Sequence, residues 1–567
     1  MVFSILWMMR NIKHSDITMA FAINLFFLLV CMLWGEKFYL GVADDYFMAR
    51  ILEGVYGDSY NVRMTFINVL YGYALFPLYY LFPKIGWYYI GEIFAVFISF
   101  TIVSYVVIKK LGLQWGAMFS FLLVACFARD FYLTVQFTQC AAALGGAGLL
   151  LFIYCLDSGF SSKKQIFFAF VVIVWGYCMR TDAFFMGLPF FVCAMLFFIR
   201  KAFNFRYRFV LCVLIIFGGL WGAKTINEVH YSTPEYQKYM EFQPYRVMLG
   251  DKTNYDKSAV YDEVEEEGLV GEDYSLLTKW IFYDSQNFAT DSLKRITNKI
   301  IKYTPPLEWS EMLFRAFYRF DCSIFHPCCW AFCLVSLVLL FWGCDRSLYV
   351  WGALAIMLVM MSYLVYLLRL VYRVEAGLWF YATILAIPLL ENIHPISRRA
   401  FMMILSSFFV VYLVFFYLTG SYQRSTSRGD LMKVPRQEVL RKNYEIVFEY
   451  MDSLPKNTIF LTSMNAYRAL AHYRNPLYFS EPIGSWKRVA CLGFWTPYFP
   501  DVENSLKQYG VENPMRDVVK ENVVVIAHDE ILLDYLHRHY YENAKLDTLR
   551  DIGGVKFFKY SEMSQDD

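Results

Sequence analysis

Long apolar runs broken by short charged turns fill the first three quarters of the chain, and an alternation of strand-like and helix-like segments replaces them in the last quarter. A helix needs roughly 20 apolar residues to cross the hydrocarbon core of a bilayer. Runs of that kind fall near 17–36, 85–108, 115–128, 131–155, 165–179, 183–199, 208–226, 327–343, 348–368, 376–392 and 401–420. The run 115–155 is interrupted by Arg129 and Asp130. The stretch 66–83 is also apolar, but it is short, contains Asn68 and carries Pro77 and Pro83. Beyond residue 420, strand-like runs at Thr458–Ser463, Val523–His528 and Val555–Tyr560 alternate with amphipathic segments at 437–453 and 530–540. The pattern predicts an all-α polytopic transmembrane bundle of about eleven spans over 1–420, then a small α/β domain over 421–567.

The distribution of basic residues orients the bundle. With 66–83 lying on the membrane rather than through it, the clusters Arg10/Lys13, Lys109/Lys110, Lys163/Lys164, Arg200/Lys201/Arg206/Arg208, Arg346 and Arg398/Arg399 all fall on one side. Positive loops stay in the cytoplasm. The N-terminus is therefore expected inside. The outer face receives the first loop 37–84, the turns at Arg129/Asp130 and Arg180/Asp182, the long loop 227–326, the turn 369–375 and the C-terminal domain. Within the long loop, helices are expected near 233–248 and 272–302, and the acidic run Asp262–Glu267 reads as a solvated face. No small-residue cleavage site follows the first run, so it reads as an uncleaved signal anchor.

Composition supports this reading and removes others. Of 567 residues, 58% are hydrophobic and 18% charged, which is low for a soluble protein of this length. Net charge is +2, which does not call for a nucleic-acid partner. The sequence shows neither a Walker loop nor a dinucleotide-binding glycine pattern between a strand and a helix. The 13 cysteines mostly sit inside apolar runs and read as small buried hydrophobes. His230, His326, His394 and His472 lack metal-site spacing. No metal ligand or cofactor is assigned, and a divalent cation is allowed rather than indicated.

The chemistry concentrates on the outer face. Gly41-Val42-Ala43-Asp44-Asp45-Tyr46 puts two adjacent carboxylates about eight residues beyond the first span, at the start of an amphipathic helix closed by Gly54 and Gly57. Helix capping accounts for one aspartate; a second, at headgroup level, suggests acid–base work. Arg129/Asp130, Arg180/Asp182 and Arg369/Arg373/Glu375 each end a span on the same face, and Arg246 lies in the long loop. Each arginine alone can be read as snorkelling to lipid or pairing locally. Several on one face point to a shared anionic ligand, and arginine binds phosphate through a two-pronged fork. The aromatic run Glu481–Pro500, with Trp486, Trp495, Tyr498 and Phe499, reads first as domain core and second as a sugar-stacking platform.

With Asp44-Asp45 after the first span, a helix at Tyr46–Gly54, the Pro-containing stretch Phe66–Pro83 and a second span at Ile85–Ile108, the chain resembles the GT-C superfamily of polyprenyl-phosphate-dependent glycosyltransferases. The likeness is to the protein mannosyltransferase/aminoarabinose transferase-like clan, and within it to a bacterial branch whose first loop reads Asp-Asp-Tyr. It covers residues 15–230 best. Thr65-Phe66-Ile67-Asn68 stands where the clan has Pro-Pro-Leu. The resemblance implies that Asp44 is the catalytic base, with Asp45 close behind, and that Arg373 or Arg369 touches the lipid phosphate. Arg180 and Arg129 are carried as further phosphate-binding candidates, and Asp130, Asp182, Glu375 and Arg246 as supporting residues.

The expected activity is transfer of a sugar from a polyprenyl-phosphate donor to a cell-envelope acceptor (a glycan, lipid or protein) outside a bacterial inner membrane, with inversion. The alternatives are a lipid-linked polysaccharide polymerase or ligase, which takes lipid-pyrophosphate oligosaccharides, and a lipid or oligosaccharide flippase or transporter, which would place its ionisable groups near mid-membrane.

Overall fold

A computed structural model describes residues 16–34, 43–251, 260–261, 264–266, 268–302, 308–342, 344–367, 369–390, 398–419, 437–471 and 480–562. Gly41, Val42, Lys252, Asp262, Glu263, Glu267, His394, His472 and the stretch 421–436 lie outside the described residues.

Among the described residues, seven helices are long and apolar enough to cross a membrane, and an eighth span counts if one bent pair is taken together. The chain is a multi-pass membrane protein. The helices that position the site are α1 (Asp16–Trp34), α2 (Ala43–Leu52), α3 (Val69–Leu81), α4 (Trp87–Leu111), α5 (Leu113–Tyr132), α6 (Phe137–Asp157), α7 (Lys163–Met179), α8 (Arg206–His230), α9 (Pro234–Asp251), α10 (Trp309–Cys322), α11 (Pro327–Trp342), α12 (Leu348–Tyr366) and α13 (Tyr372–Ile384). The sequence reading expected about eleven spans. Helix α5 carries Arg129 and Asp130 in its last turns and α7 has only 17 residues, and the helix at the last expected run is Arg398–Thr419. The run 327–343 pairs with Trp309–Phe325 across an 85° bend.

Helix α3 is the apolar stretch that the charge pattern kept out of the membrane count. Asn68 caps it by accepting the Leu70 amide at 3.0 Å, and it ends at Phe82 before Pro83. Thirteen residues at about 1.5 Å each reach only about 20 Å, short of a hydrocarbon core of about 30 Å.

Helix α6 forms the centre of the bundle. Nearly all of it is buried. Its Gly145-Gly146-Ala147-Gly148 run lets neighbours approach closely: a Cβ on Gly176 of α7 would stand 2.5 Å from the Gly145 amide nitrogen. Small residues at such contacts let helices pack tightly without a hydrophobic drive between them. Helix α8 does the reverse. Val210, Leu211, Leu214 and Phe217 are exposed along it, as a lipid-facing helix requires.

The C-terminal part folds around a five-stranded sheet of β1 (Ile459–Thr462), β2 (Val489–Cys491), β3 (Val523–Ala527), β4 (Ala544–Ile552) and β5 (Val555–Glu562), in the order β2-β1-β3-β5-β4. Strand β1 runs parallel to β2 and β3, and β5 runs antiparallel to β3 and β4. The sheet unit is hydrogen-bonded to the first loop. The Gly484 and Trp486 amides donate to the carbonyls of Gly54 and Val55, and the Ser480 amide donates to Lys84. The Arg50 guanidinium meets Glu481 at 3.0 Å and lies 3.7 Å over the Trp486 ring.

Gly54 makes this joint at a φ of +70°, where a Cβ would press to 2.4 Å from the Ser59 carbonyl oxygen. Gly510 has a φ of +73° with open space around it. Gly54→Ala is expected to cost at least about 1 kcal/mol more than Gly510→Ala. Thermal unfolding of both variants in detergent checks the order; equal losses would contradict the close approach.

Candidate active site

Helix α2 starts with Ala43-Asp44-Asp45 and ends with Arg50 in its last turn, a charge order that suits the helix dipole. Successive helical residues point about 100° apart, so the two carboxylates part company. Asp45 turns inward and is fully buried. It accepts the Tyr88 hydroxyl at 2.8 Å and the Phe137 amide at 3.2 Å. Phe137 is the first residue of α6, so Asp45 supplies a cap for that helix rather than for its own. Glu92, also fully buried, is a close electrostatic neighbour of it. Burial outweighs the stabilisation from Glu92, Tyr88 and Phe137, and the nearby Asp44 adds repulsion, so the Asp45 pKa is pushed up to about 7.

Asp44 turns outward and is half-buried. It accepts the Trp495 indole N–H at 2.7 Å. The Arg246 guanidinium lies 3.4 Å from the centre of the Trp495 ring, and Phe66 meets the same ring edge-on at 4.3 Å. Arg246 also donates to Gln243 at 2.8 Å, and both its charge and that of Asp44 act on Tyr239. Arg180 donates to Thr138 at 3.0 Å and lies 4.9 Å over Phe137. The charges acting on Arg180 are Arg373, Asp44, Asp182 and Arg369. The first loop, the α7 end, the turn before α13, helix α9 and the C-terminal unit thus converge on one charged neighbourhood.

The remaining candidates lie elsewhere. Arg129 is exposed, and its charge acts on Cys31. Asp130, its neighbour in sequence, is buried and takes the Tyr372 hydroxyl. Around it are His326, with Nδ1 at 3.9 Å, and Cys328, with Sγ at 3.8 Å. Glu375 is buried on the same side and accepts the Ser323 hydroxyl at 2.6 Å. Tyr372 and Arg373 are adjacent in α13, so the two neighbourhoods meet there.

Sequence reasoning missed Glu92. The signal was present: it is the one acid within the second span, and an ionisable residue inside a membrane run is a functional candidate by default. It also understated Arg246, read as a loop residue and found fully buried. Trp486, Trp495, Tyr498 and Phe499 are all buried, and the first reading of that run, as core, describes them. Thr65, Trp280, Phe494 and Tyr498 adopt positive φ between 59° and 68°. Such strain in non-glycine residues persists where surrounding structure enforces it, and these four flank the Trp495–Arg246 contact. A cavity of about 350 Å³, lined among others by Asn61, Arg63, Tyr236 and Asp501, opens beside the joint; none of the expected site residues lines it.

No family model matches the chain, and no curated protein matches it. Among solved structures, it is similar to two crystal structures of ArnT from Cupriavidus metallidurans, one in the apo state and one bound to undecaprenyl phosphate. Each shows 9% sequence identity and a TM-score of 0.43, over 96% of this chain and 97% of the other.

A second buried acid adjoins the site. Burial pushes Glu53 up to about 8, against a hydrogen bond from the Glu481 amide and with repulsion from the Glu481 carboxylate. Both Asp45 and Glu53 therefore hold a proton in the fold at pH values where the unfolded chain has lost it. Their contribution to stability is complete below the ordinary carboxylate pKa of about 4 and disappears as pH rises through about 7 and about 8. The unfolding temperature in detergent is expected to fall from about pH 5 to about pH 9, and Glu53→Gln is expected to remove part of the fall. A flat or rising profile would contradict the assignment.

Proposed function

We propose that the chain is a GT-C-type glycosyltransferase that moves a sugar from a polyprenyl-phosphate carrier to a cell-envelope acceptor on the outer side of a bacterial inner membrane. The observation that carries this reading is the place of Arg180, 3.0 Å from Thr138 and 4.9 Å over Phe137, within electrostatic reach of Asp44, Arg373 and Arg369. In this reading residues 1–420 form the membrane domain and 421–567 an outer domain that closes over the first loop.

The reaction needs a base, an anion site and a place for the lipid tail. The acceptor hydroxyl oxygen bonds to the anomeric carbon as the bond from that carbon to the phosphate oxygen breaks. The hydroxyl proton passes to Asp44. The bonding pair leaves on the phosphate, whose added charge Arg180, Arg373 and Arg369 stabilise. The products are the glycosylated acceptor and the polyprenyl phosphate. One displacement without a sugar–enzyme bond inverts the anomeric centre.

Asp45 has a different task. Its buried, protonated carboxyl holds the start of α2 against Tyr88, Glu92 and the first turn of α6, and so aims Asp44. Trp495 fixes the Asp44 carboxylate from the other side, with Arg246 stacked behind it.

A transfer assay with membranes, a panel of polyprenyl-phosphate sugars and envelope acceptors tests the reading. Asp44→Asn is expected to lower transfer on the order of 10²–10⁴-fold. Asp45→Asn keeps a hydrogen-bonding group of the same shape and is expected to cost less. The double variant is expected to be inactive while still folded. Full activity in the double variant would sink the proposal.

A further inference from the structure

We propose that Asp130, His326 and Cys328 form a zinc site that pins the bent α10–α11 pair to the ends of α5 and α13. Asp130 stands nearly 200 residues from His326 and Cys328 in sequence, and the three donor atoms all lie within 4.8 Å of one another. Each is almost fully buried. The Asp130 carboxylate oxygen is 3.9 Å from His326 Nδ1 and 3.8 Å from Cys328 Sγ. Zinc bonds of about 2.0–2.3 Å in tetrahedral geometry set donor–donor distances of about 3.3–3.6 Å. Closing the cluster onto a metal therefore takes movements of about 1 Å or less.

The surroundings suit a cation. Glu375 is close enough for its charge to act on Cys328, as does that of Asp130. His326 stacks on Tyr372 at 4.2 Å between ring centres and 13° between planes, which fixes the imidazole orientation. The Cys328 amide donates to His326 Nδ1 at 3.2 Å, so the ring proton sits on Nε2, and a metal at Nδ1 takes the lone pair that this amide now uses. That neutral tautomer binds a metal through Nδ1. A sulfur, nitrogen and oxygen donor set favours zinc over calcium or magnesium. The fourth position falls to a water or to the Tyr372 hydroxyl, which already bonds the same Asp130 oxygen. Binding forms the Zn–S bond with loss of the Cys328 thiol proton to solvent.

The position explains what such a metal would do. His326 stands at the 85° break between the two helices of the bent pair, and Cys328 lies two residues beyond it. Asp130 closes α5, and Tyr372 opens α13 beside Arg373. A metal here would lock that corner of the bundle. This inference is independent of the glycosyltransferase reading.

The test is elemental analysis of the full-length chain, purified in detergent without chelator and through a tag lacking histidine. About one zinc per chain is expected. Cobalt exchanged into the wild-type protein is expected to give a thiolate-to-cobalt charge-transfer band and the d–d bands of a four-coordinate centre. Cys328→Ser is expected to abolish the charge-transfer band, and His326→Gln to lower occupancy. Wild-type protein with no zinc and no cobalt band would overturn the proposal, and this result does not depend on any variant folding. Zinc retained in full by both Cys328→Ser and His326→Gln would overturn it equally.

Discussion

Two neighbouring aspartates at the start of one short helix cannot face the same way, and the site follows from that constraint. The helical turn sends Asp45 into a dry corner formed by Tyr88, Glu92 and the first amide of α6. It sends Asp44 towards Trp495 and the charge of Arg180. The same chemical group thus meets two environments one residue apart. The inward member is costly to ionise, because burial outweighs its hydrogen bonds.

The C-terminal sheet is part of this arrangement. Backbone bonds from Gly484 and Trp486 to the first loop, and the Arg50–Glu481 pair over Trp486, tie the sheet unit to α2 and the turn after it. Trp495 then reaches Asp44 from the same unit. The positive-φ residues Thr65, Trp280, Phe494 and Tyr498 lie in the segments that meet here. The packing is close enough that a Cβ on Gly493 would overlap the Trp280 carbonyl oxygen at 1.7 Å. A loop, a long-loop turn and the sheet unit are fitted to one another, and the carboxylate pair is held by all three.

Much of the membrane part was legible because bilayer insertion writes itself into hydropathy. Helices stand at all eleven expected runs, and the short α3 showed itself through Asn68, Pro77 and Pro83. The paired aspartates were legible as a motif, but their opposite orientations were not, because these depend on which side of α2 meets α4 and α6. Arg129 and Asp130 read as one charged turn, yet α5 carries one to the surface and the other inside. The Asp130–His326–Cys328 cluster left no mark in local spacing, since its members are joined only by tertiary packing. In the sheet, the buried β1 and β3 announced themselves as apolar runs. Strand β4, Ala-Lys-Leu-Asp-Thr-Leu-Arg-Asp-Ile, is an exposed edge whose charges disguise it and protect it from pairing with other chains.

The most direct measurement is a cryo-EM structure of the full chain in lipid nanodiscs with undecaprenyl phosphate added. The account predicts the phosphate among Arg180, Arg373 and Arg369, with the Asp44 carboxylate facing the open side of the headgroup and Asp45 still turned against Glu92. A headgroup bound away from those arginines, or an Asp44 closed off from it by protein, would contradict the account.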